Sequence, residues 1–177
     1  MPATARLFFA LPVDSALGDT LEELAHHAAS MSGGRALPRA NLHATIAFIG
    51  SVPRTQIATL CAIGGALRGD ACDVTLDTLG SFRAARVAWI GPSHVPASLP
   101  ALHDVLASHL AAASFSLDER PWNPHVTLAR HCRHPIARRE VAPLAWRVEH
   151  VVLYESIGAT GGPRYEPLET WPLTRRP

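Results

Sequence analysis

The chain has 177 residues, of which 47% are hydrophobic and 18% are charged, and its formal net charge is +1 at pH 7. This composition excludes a disordered chain, because the apolar residues are enough for one sizeable core or two modest lobes. The near-neutral charge excludes the broad positive field that grips duplex nucleic acid. A nucleic-acid partner is therefore expected to be recognised locally, at an end or a single nucleotide.

Cysteine usage and the lengths of the apolar segments indicate a cytoplasmic protein. The three cysteines, Cys61, Cys72 and Cys132, form no CxxC pair and are odd in number, which suits a reducing compartment better than a disulfide framework. The apolar stretch RLFFALPV near the N-terminus is short and is interpreted as a strand rather than a signal peptide. No run approaches the ~18 apolar residues that would span a bilayer.

Strands and helices are predicted to alternate along the first half of the chain. A strand is predicted at 6–11, and Pro12 and Asp14 precede a helix whose apolar residues recur at helical spacing. The loop SGGRALPRAN leads into the strand LHATIAFIG, and a second helix follows Pro53.

The second half is predicted to continue the alternation. Strands are expected at 73–79 and 86–90, followed by a third helix over about 98–113. The loop DERPWNP then precedes the strand HVTLAR. After an arginine-rich connection, WRVEHVVLYES is predicted as one strand. The final stretch YEPLETWPL is predicted as a short edge strand, because its prolines suit an edge.

A strand, a helix and a strand that begins with His-x-Thr occur in this order twice. The intervals from Arg6 to His43 and from Arg86 to His125 are nearly equal, and each holds one amphipathic helix. The repetition indicates an internal duplication within a single bilobal domain over residues 1–177. Each lobe is expected to be a small sheet with helices on its outer face, the lobes being related by a pseudo-two-fold axis.

In each His-x-Thr strand, polar and apolar side chains are expected on opposite faces, because successive side chains of a strand alternate. The polar pairs are His43 with Thr45 and His125 with Thr127. The apolar residues on the other face are Ala44, Ile46, Val126 and Leu128. If helices cover the apolar face, both polar pairs are free to line one groove.

Two facing histidines suit general acid–base catalysis. Imidazole has a pKa of about 6.5, so one ring can be neutral and accept a proton while the other is protonated and donates one. Phosphodiester cleavage has this requirement, and the hydroxyls of Thr45 and Thr127 can donate hydrogen bonds to the phosphate. Arg130 also suits a phosphate, but its odd offset from His125 points it away from the groove unless the strand bends.

Each motif alone has an ordinary structural interpretation. A single His-x-Thr is typical of a locally hydrogen-bonded histidine and a threonine that favours a strand. The two matched copies favour a functional pair instead. The histidines outside these motifs are interpreted as surface or packing residues: His26, His27, His94, His103, His109 and His150.

The stretches RLFFALP, NLHATIAFIG, LGSF followed by RVAWIG, and NPHVTLARH resemble the RNA 2′,3′-cyclic phosphodiesterases, also called 2′-5′ RNA ligases, of the two-histidine phosphoesterase superfamily. The resemblance implies a bilobal α+β fold in which two antiparallel-rich sheets flank a central cleft. It implies that His43 is the proton donor and His125 the proton acceptor. Thr45, Thr127 and Arg130 would contact the phosphate. The chain departs from the family at Ile46, where leucine is commoner, and in the loop SGGRALPRAN.

The activity that the resemblance implies is hydrolysis of a terminal 2′,3′-cyclic phosphate to a 2′-phosphate, without metal or other cofactor. The family name also implies the reverse reaction, 2′-5′ RNA ligation. The expected partners are RNA termini or small cyclic-phosphate nucleotides, with no membrane and no obligate protein partner. An alternative is a phosphodiesterase of the same superfamily that acts on 2′-5′ oligonucleotides or an ADP-ribose cyclic phosphate.

Two further alternatives remain open. His131, Cys132 and His134 with His125 give an incomplete zinc-ligand spacing. A non-catalytic RNA-end-binding module could use Phe48 or Trp122 to stack a base, although packing is the commoner role of such residues. Such a module could carry a basic rim made of Arg83, Arg86, Arg120, Arg130, Arg133, Arg138 and Arg139.

Overall fold

An antiparallel sheet and three helices make up the computed structural model, which describes residues 3–117, 120–159 and 162–174. The strands are β1 (Thr4–Pro12), β2 (Arg35–Ala36), β3 (His43–Pro53), β4 (Cys72–Phe82), β5 (Val87–Gly91), β6 (Val126–Arg130), β7 (Arg139–Val148), β8 (His150–Ala159) and β9 (Gly162–Pro172). The helices are α1 (Ser15–Ser32), α2 (Ile57–Ala66) and α3 (Ser98–Ala112). Among the described residues, no helix is both long enough and apolar enough to cross a bilayer.

The strand order shows the duplication. The strands run β7-β4-β5-β6-β3-β1-β8-β9, with β2 paired to β6 beside this path. The order of equivalent strands from each edge to the centre is the same in the two halves: β7, β4, β5, β6 on one side and β9, β8, β1, β3 on the other. The predicted α+β class, duplication and antiparallel pairing are confirmed. The two expected sheets are joined into one, through the single register pair of Ala44 on β3 with Val126 on β6.

Each duplicated unit sends its helix across to the other half. Helix α1 is capped at its N-terminus by Asp14, whose side chain accepts a hydrogen bond of 2.8 Å from Leu17 N, and at its C-terminus by Gly33, which has a φ of 61°. It follows β1 but packs on β6, and its Leu21 and Ala25 are fully buried. Helix α3 follows β5 and packs on β3. The helices thus cover the apolar side of the two central strands.

Two predictions about the strands are wrong, and one strand was not predicted. The run WRVEHVVLYES is not one strand: it is divided at Glu149 between β7, which pairs with β4, and β8, which pairs with β1 in the other half. The predicted arginine-rich connection contributes the beginning of β7, at Arg139. The short strand β2 was not predicted. The last strand is at an edge, as expected, although β9 is longer than the predicted element.

Candidate active site

The two His-x-Thr motifs lie side by side at the centre of the sheet. Ala44 and Val126 are register partners in an antiparallel pair, and both side chains are fully buried in the core. The residues that flank them in each motif therefore lie on the opposite face, away from the helices. A 3.1 Å hydrogen bond between His43 Nε2 and Thr45 Oγ1 shows that this pair shares a face. The structure thus brings both polar pairs together.

A β-bulge turns Arg130 toward the same face. Trp89 on β5 pairs with Thr127, but the next residue, Ala88, pairs with Ala129, so Leu128 is an extra residue in β6. Val87 then pairs with Arg130. Because Trp89 and Val87 are two residues apart on β5 and share a face, their partners Thr127 and Arg130 also share one. The odd offset of Arg130 from His125 is thereby compensated, and Arg130 lies near both histidines.

The first motif has the same bulge at the equivalent place. Phe9 pairs with Ala47 while Ala10 pairs with Thr45, so Ile46 is the extra residue in β3. The bulge puts Phe48 on the face of Thr45, where its ring is 48% exposed. The guanidinium carbon of Arg6 lies 4.8 Å from the centre of this ring. Phe48 therefore occupies the position that Arg130 holds in the second motif.

Both histidines are oriented by a backbone carbonyl two residues earlier. His43 Nδ1 lies 2.8 Å from the carbonyl oxygen of Asn41, and His125 Nδ1 lies 2.7 Å from that of Asn123. A carbonyl oxygen only accepts, so each Nδ1 carries the hydrogen and each Nε2 is left for chemistry. This contact was not predicted, although the repeated Asn-x-His spacing was a signal for it.

Aromatic rings surround each imidazole. The ring centre of His43 lies 5.0 Å from that of Phe8 and 5.1 Å from that of Tyr165, and Tyr154 is at 6.0 Å. His125 contacts Phe82 edge-on, with the ring centres 4.9 Å apart. These apolar surroundings fix the ring positions and remove water from around each imidazole, which disfavours its charged form.

The environment lowers the pKa of both histidines. Burial lowers the pKa of His43 to about 4, the charges of Arg130 and His125 act in the same direction, and the hydrogen bond to Asn41 opposes them. Burial also lowers the pKa of His125, again with a contribution from Arg130 and opposition from the hydrogen bond to Asn123. In the free protein both rings are therefore neutral near pH 7.

Other sequence candidates lie outside this arrangement. The Trp122 indole donates a 2.9 Å hydrogen bond to the carbonyl of Thr45 and stacks on His103, so its contacts are those of a packing residue. Within the described ranges, no group of three or more His, Cys, Asp or Glu residues is placed to hold a metal ion, so the suggested zinc ligands form no such group there.

Four of the seven arginines of the suggested basic rim line two different cavities. Arg83, Arg86 and Arg133 line a cavity of about 320 Å³. Arg130 lines a different, larger one. Arg86 also supports the loop after β6, because its Nε donates a 3.2 Å hydrogen bond to the carbonyl of Cys132. These four arginines therefore do not line one common cavity.

Known proteins match this chain over most of its length. The family model described as the 2′-5′ RNA ligase superfamily matches residues 13–160. The RNA 2′,3′-cyclic phosphodiesterase of Escherichia coli K12 is 31% identical over 182 residues, covering 99% of this chain and 100% of that protein. The enzyme of the same name from Geobacillus stearothermophilus is 30% identical, covering 96% of this chain and 58% of its own length.

A solved structure agrees with these matches. The crystal structure of E. coli LigT complexed with 3′-AMP superposes with a TM-score of 0.86 at 30% identity, covering 97% of this chain and 99% of that one. The similarity thus includes both halves of the sheet and the central strands between them. This chain belongs to the 2′-5′ RNA ligase superfamily.

Proposed function

We propose that this protein is an RNA 2′,3′-cyclic phosphodiesterase that opens the terminal cyclic phosphate to a 2′-phosphate by acid–base catalysis between His43 and His125. The observation that carries the proposal is the matched pair of imidazoles in a chain of this superfamily. Each has its Nδ1 held by a carbonyl and its Nε2 available on one face of the sheet. The relatives' names give the reaction class, and the geometry supplies two groups able to perform it.

In the proposed reaction, His125 is the base and His43 is the acid. His125 Nε2 removes a proton from water as the water oxygen attacks phosphorus. The bond between phosphorus and the 3′ oxygen breaks, and His43 Nε2 protonates that oxygen. The products are a 2′-phosphate and a free 3′ hydroxyl. Both rings end in the opposite protonation state and return to the first by proton exchange with solvent.

Binding of the anionic substrate can prepare His43 for its role as acid. An acid must be protonated, yet in the free protein the pKa of His43 is about 4. A phosphate beside the ring favours the imidazolium, and a phosphate on Arg130 offsets a charge that lowers the pKa. Substrate therefore raises the fraction of His43 that carries a proton.

The remaining motif residues are proposed to hold the phosphate. The hydroxyls of Thr45 and Thr127 can donate hydrogen bonds to non-bridging oxygens, and the guanidinium of Arg130 can donate charge-assisted ones. In the free protein, the single hydrogen of the Thr45 hydroxyl is directed to His43 Nε2, since the nitrogen has only a lone pair there. Protonation of His43 would reverse this hydrogen bond, because Nε2 then becomes the donor.

The proposal also includes RNA joining and the compartment in which the enzyme acts. If an RNA 5′ hydroxyl replaces water as the nucleophile, the same two proton transfers form a 2′-5′ linkage. Such an enzyme would act on RNA ends in the cytoplasm. Its cysteines Cys61, Cys72 and Cys132 are free thiols, which suits a reducing compartment.

Alanine variants test the two roles. We expect His43→Ala and His125→Ala each to lose nearly all turnover of an oligonucleotide that ends in a 2′,3′-cyclic phosphate, while circular dichroism shows an intact fold. His27→Ala is the matched control, because His27 is exposed on α1. Full activity in either active-site variant would contradict the assignment. Saturable RNA binding by the unmodified protein without product would indicate a binding module instead.

A further inference from the structure

A groove beside His43 extends the candidate site along the sheet. It has a volume of about 570 Å³, within the range of about 300–1,000 Å³ that small-molecule sites occupy. It shares three residues with the surroundings of the histidines: Asn41, Arg130 and Tyr165. The groove therefore begins where a substrate held by the two motifs would end.

The floor of this groove carries two arginines on neighbouring strands. Arg35 on β2 is the register partner of Arg130 on β6. Directly opposed residues of an antiparallel pair point to the same face, so Arg35 shares the face of Arg130, and hence that of His125 and Thr127. Both arginines are exposed. Like charges directly opposite each other are unfavourable in a sheet, and phosphates bound by the two guanidinium groups reduce that repulsion.

The opposite wall adds a third arginine. Arg164 on β9 lines the groove and forms an ion pair with Glu166, while most of its side chain stays exposed. The acidic group lining the groove is Glu22, which accepts a 3.3 Å hydrogen bond from the backbone N–H of Arg39. Three arginines and one glutamate line the groove, and Glu166 pairs with one of those arginines, so the basic groups beside the histidines are Arg35 and Arg130.

We propose that this groove binds the phosphate on the 5′ side of the terminal nucleoside, chiefly through Arg35, so that the enzyme's substrate class is an RNA chain end rather than a free cyclic mononucleotide. The inference rests on the proposed function, because the scissile cyclic phosphate is taken to lie at the histidines. An RNA end has one further phosphate on the 5′ side of its terminal nucleoside, and Arg35 lies in the groove beside Arg130, with the Cα atoms about 5 Å apart as in other directly opposed antiparallel pairs. A cyclic mononucleotide with a 5′ hydroxyl leaves this site empty.

Three substrates separate the contributions of the two sites. The first is adenosine 2′,3′-cyclic phosphate with a 5′ hydroxyl, the second is the same molecule with a 5′ phosphate, and the third is a dinucleotide with the same cyclic end. We expect kcat/KM to be higher for the second and third than for the first. In Arg35→Gln, the ratio of kcat/KM for the dinucleotide to kcat/KM for the first substrate should fall about tenfold, the size of one charge-assisted contact.

Arg138→Gln is the control, since Arg138 is also exposed but lies outside the groove. Its ratio should stay at the unmodified value. Raising the salt concentration should reduce the dinucleotide's advantage, with a log–log slope of about −0.7 for each phosphate contact. This slope should become shallower in Arg35→Gln.

The possible outcomes are distinguishable. A parallel loss on all three substrates, or an unchanged ratio, would overturn the second phosphate site while leaving the proposed function intact. A gain for the 5′-phosphorylated mononucleotide without a gain for the dinucleotide would replace the RNA chain with a free nucleotide as ligand. Absence of turnover on every substrate would contradict the proposed function itself. The ratio between substrates does not depend on the fraction of folded enzyme, so it tests the second phosphate site even if Arg35→Gln has a lower Tm.

Discussion

The burial of His43 predicts a measurable dependence of stability on pH. The pKa of an unperturbed histidine is 6.5, and in the folded protein that of His43 is about 4. Between these values the unfolded chain binds a proton that the folded protein does not. The free energy of unfolding therefore falls as the pH falls from 6.5 toward 4. At 1.36 kcal/mol for each pKa unit, the contribution of His43 is up to about 3 kcal/mol.

Urea denaturation of His43→Gln tests this figure, because glutamine is uncharged throughout. Between pH 7 and pH 4 the unmodified protein should lose about 3 kcal/mol more stability than the variant, an upper estimate from the same pKa difference. His125 contributes in the same direction in both proteins, so it cancels from the comparison. His27→Gln, on the exposed side of α1, is the control and should follow the unmodified protein.

Nuclear magnetic resonance gives the same quantity at one residue. The Cε1 proton of His43 should titrate with a midpoint near 4 in the free protein, and inorganic phosphate should move the midpoint upward. A midpoint near 6.5, or an equal loss of stability in His43→Gln and the unmodified protein, would contradict the lowered pKa of His43. Either result would mean that the His43 ring is better solvated than the contacts with Phe8 and Tyr165 indicate.

Two further pairs of variants test a charge and a packing contact. Arg130→Gln should lower kcat/KM at least tenfold because a charge-assisted contact is lost, and Arg130→Lys should lower it less. The charge of Arg130 lowers the pKa of both histidines, so the pH–rate profile should move to higher pH in Arg130→Gln and stay in place in Arg130→Lys. Full activity of Arg130→Gln would contradict the contact. Gly64→Ala should lower Tm, since its Cβ would lie 2.3 Å from the Trp171 ring. In Gly65→Ala the new Cβ would meet nothing closer than 3.6 Å, so the free energy of unfolding should rise by up to about 1 kcal/mol from helix propensity. Equal Tm values for Gly64→Ala and Gly65→Ala would contradict the packing of Gly64 against Trp171.

The sequence was sufficient for features that depend on local periodicity. The alternation of His-x-Thr predicted which side chains face the core, and Ala44 and Val126 are fully buried. The helical spacing of Leu17 and Leu21 likewise predicted the buried side of α1. The repeated unit predicted the matched halves of the sheet. Each of these follows from the period of a strand or helix, which is visible in a single stretch of sequence.

Features that depend on pairing between strands were not visible in the sequence. The bulges at Ile46 and Leu128 are created by the register with β1 and β5, and no residue type in either strand marks them. They decide that Phe48 and Arg130 lie on the site face. The division at Glu149 was missed for a similar reason, because the strand propensity continues on both sides of a residue where the chain changes partner.

Hydrolysis of the cyclic phosphate by His43 and His125 is tested by the product formed from an RNA with a terminal 2′,3′-cyclic phosphate in water enriched in ¹⁸O. We expect a single product, a 2′-phosphate with one ¹⁸O atom on phosphorus and a free 3′ hydroxyl, identified by ³¹P resonance and mass spectrometry. A 3′-phosphate would contradict the assigned leaving group. An unchanged cyclic phosphate would contradict the assignment of His43 and His125 as an acid–base pair for this reaction.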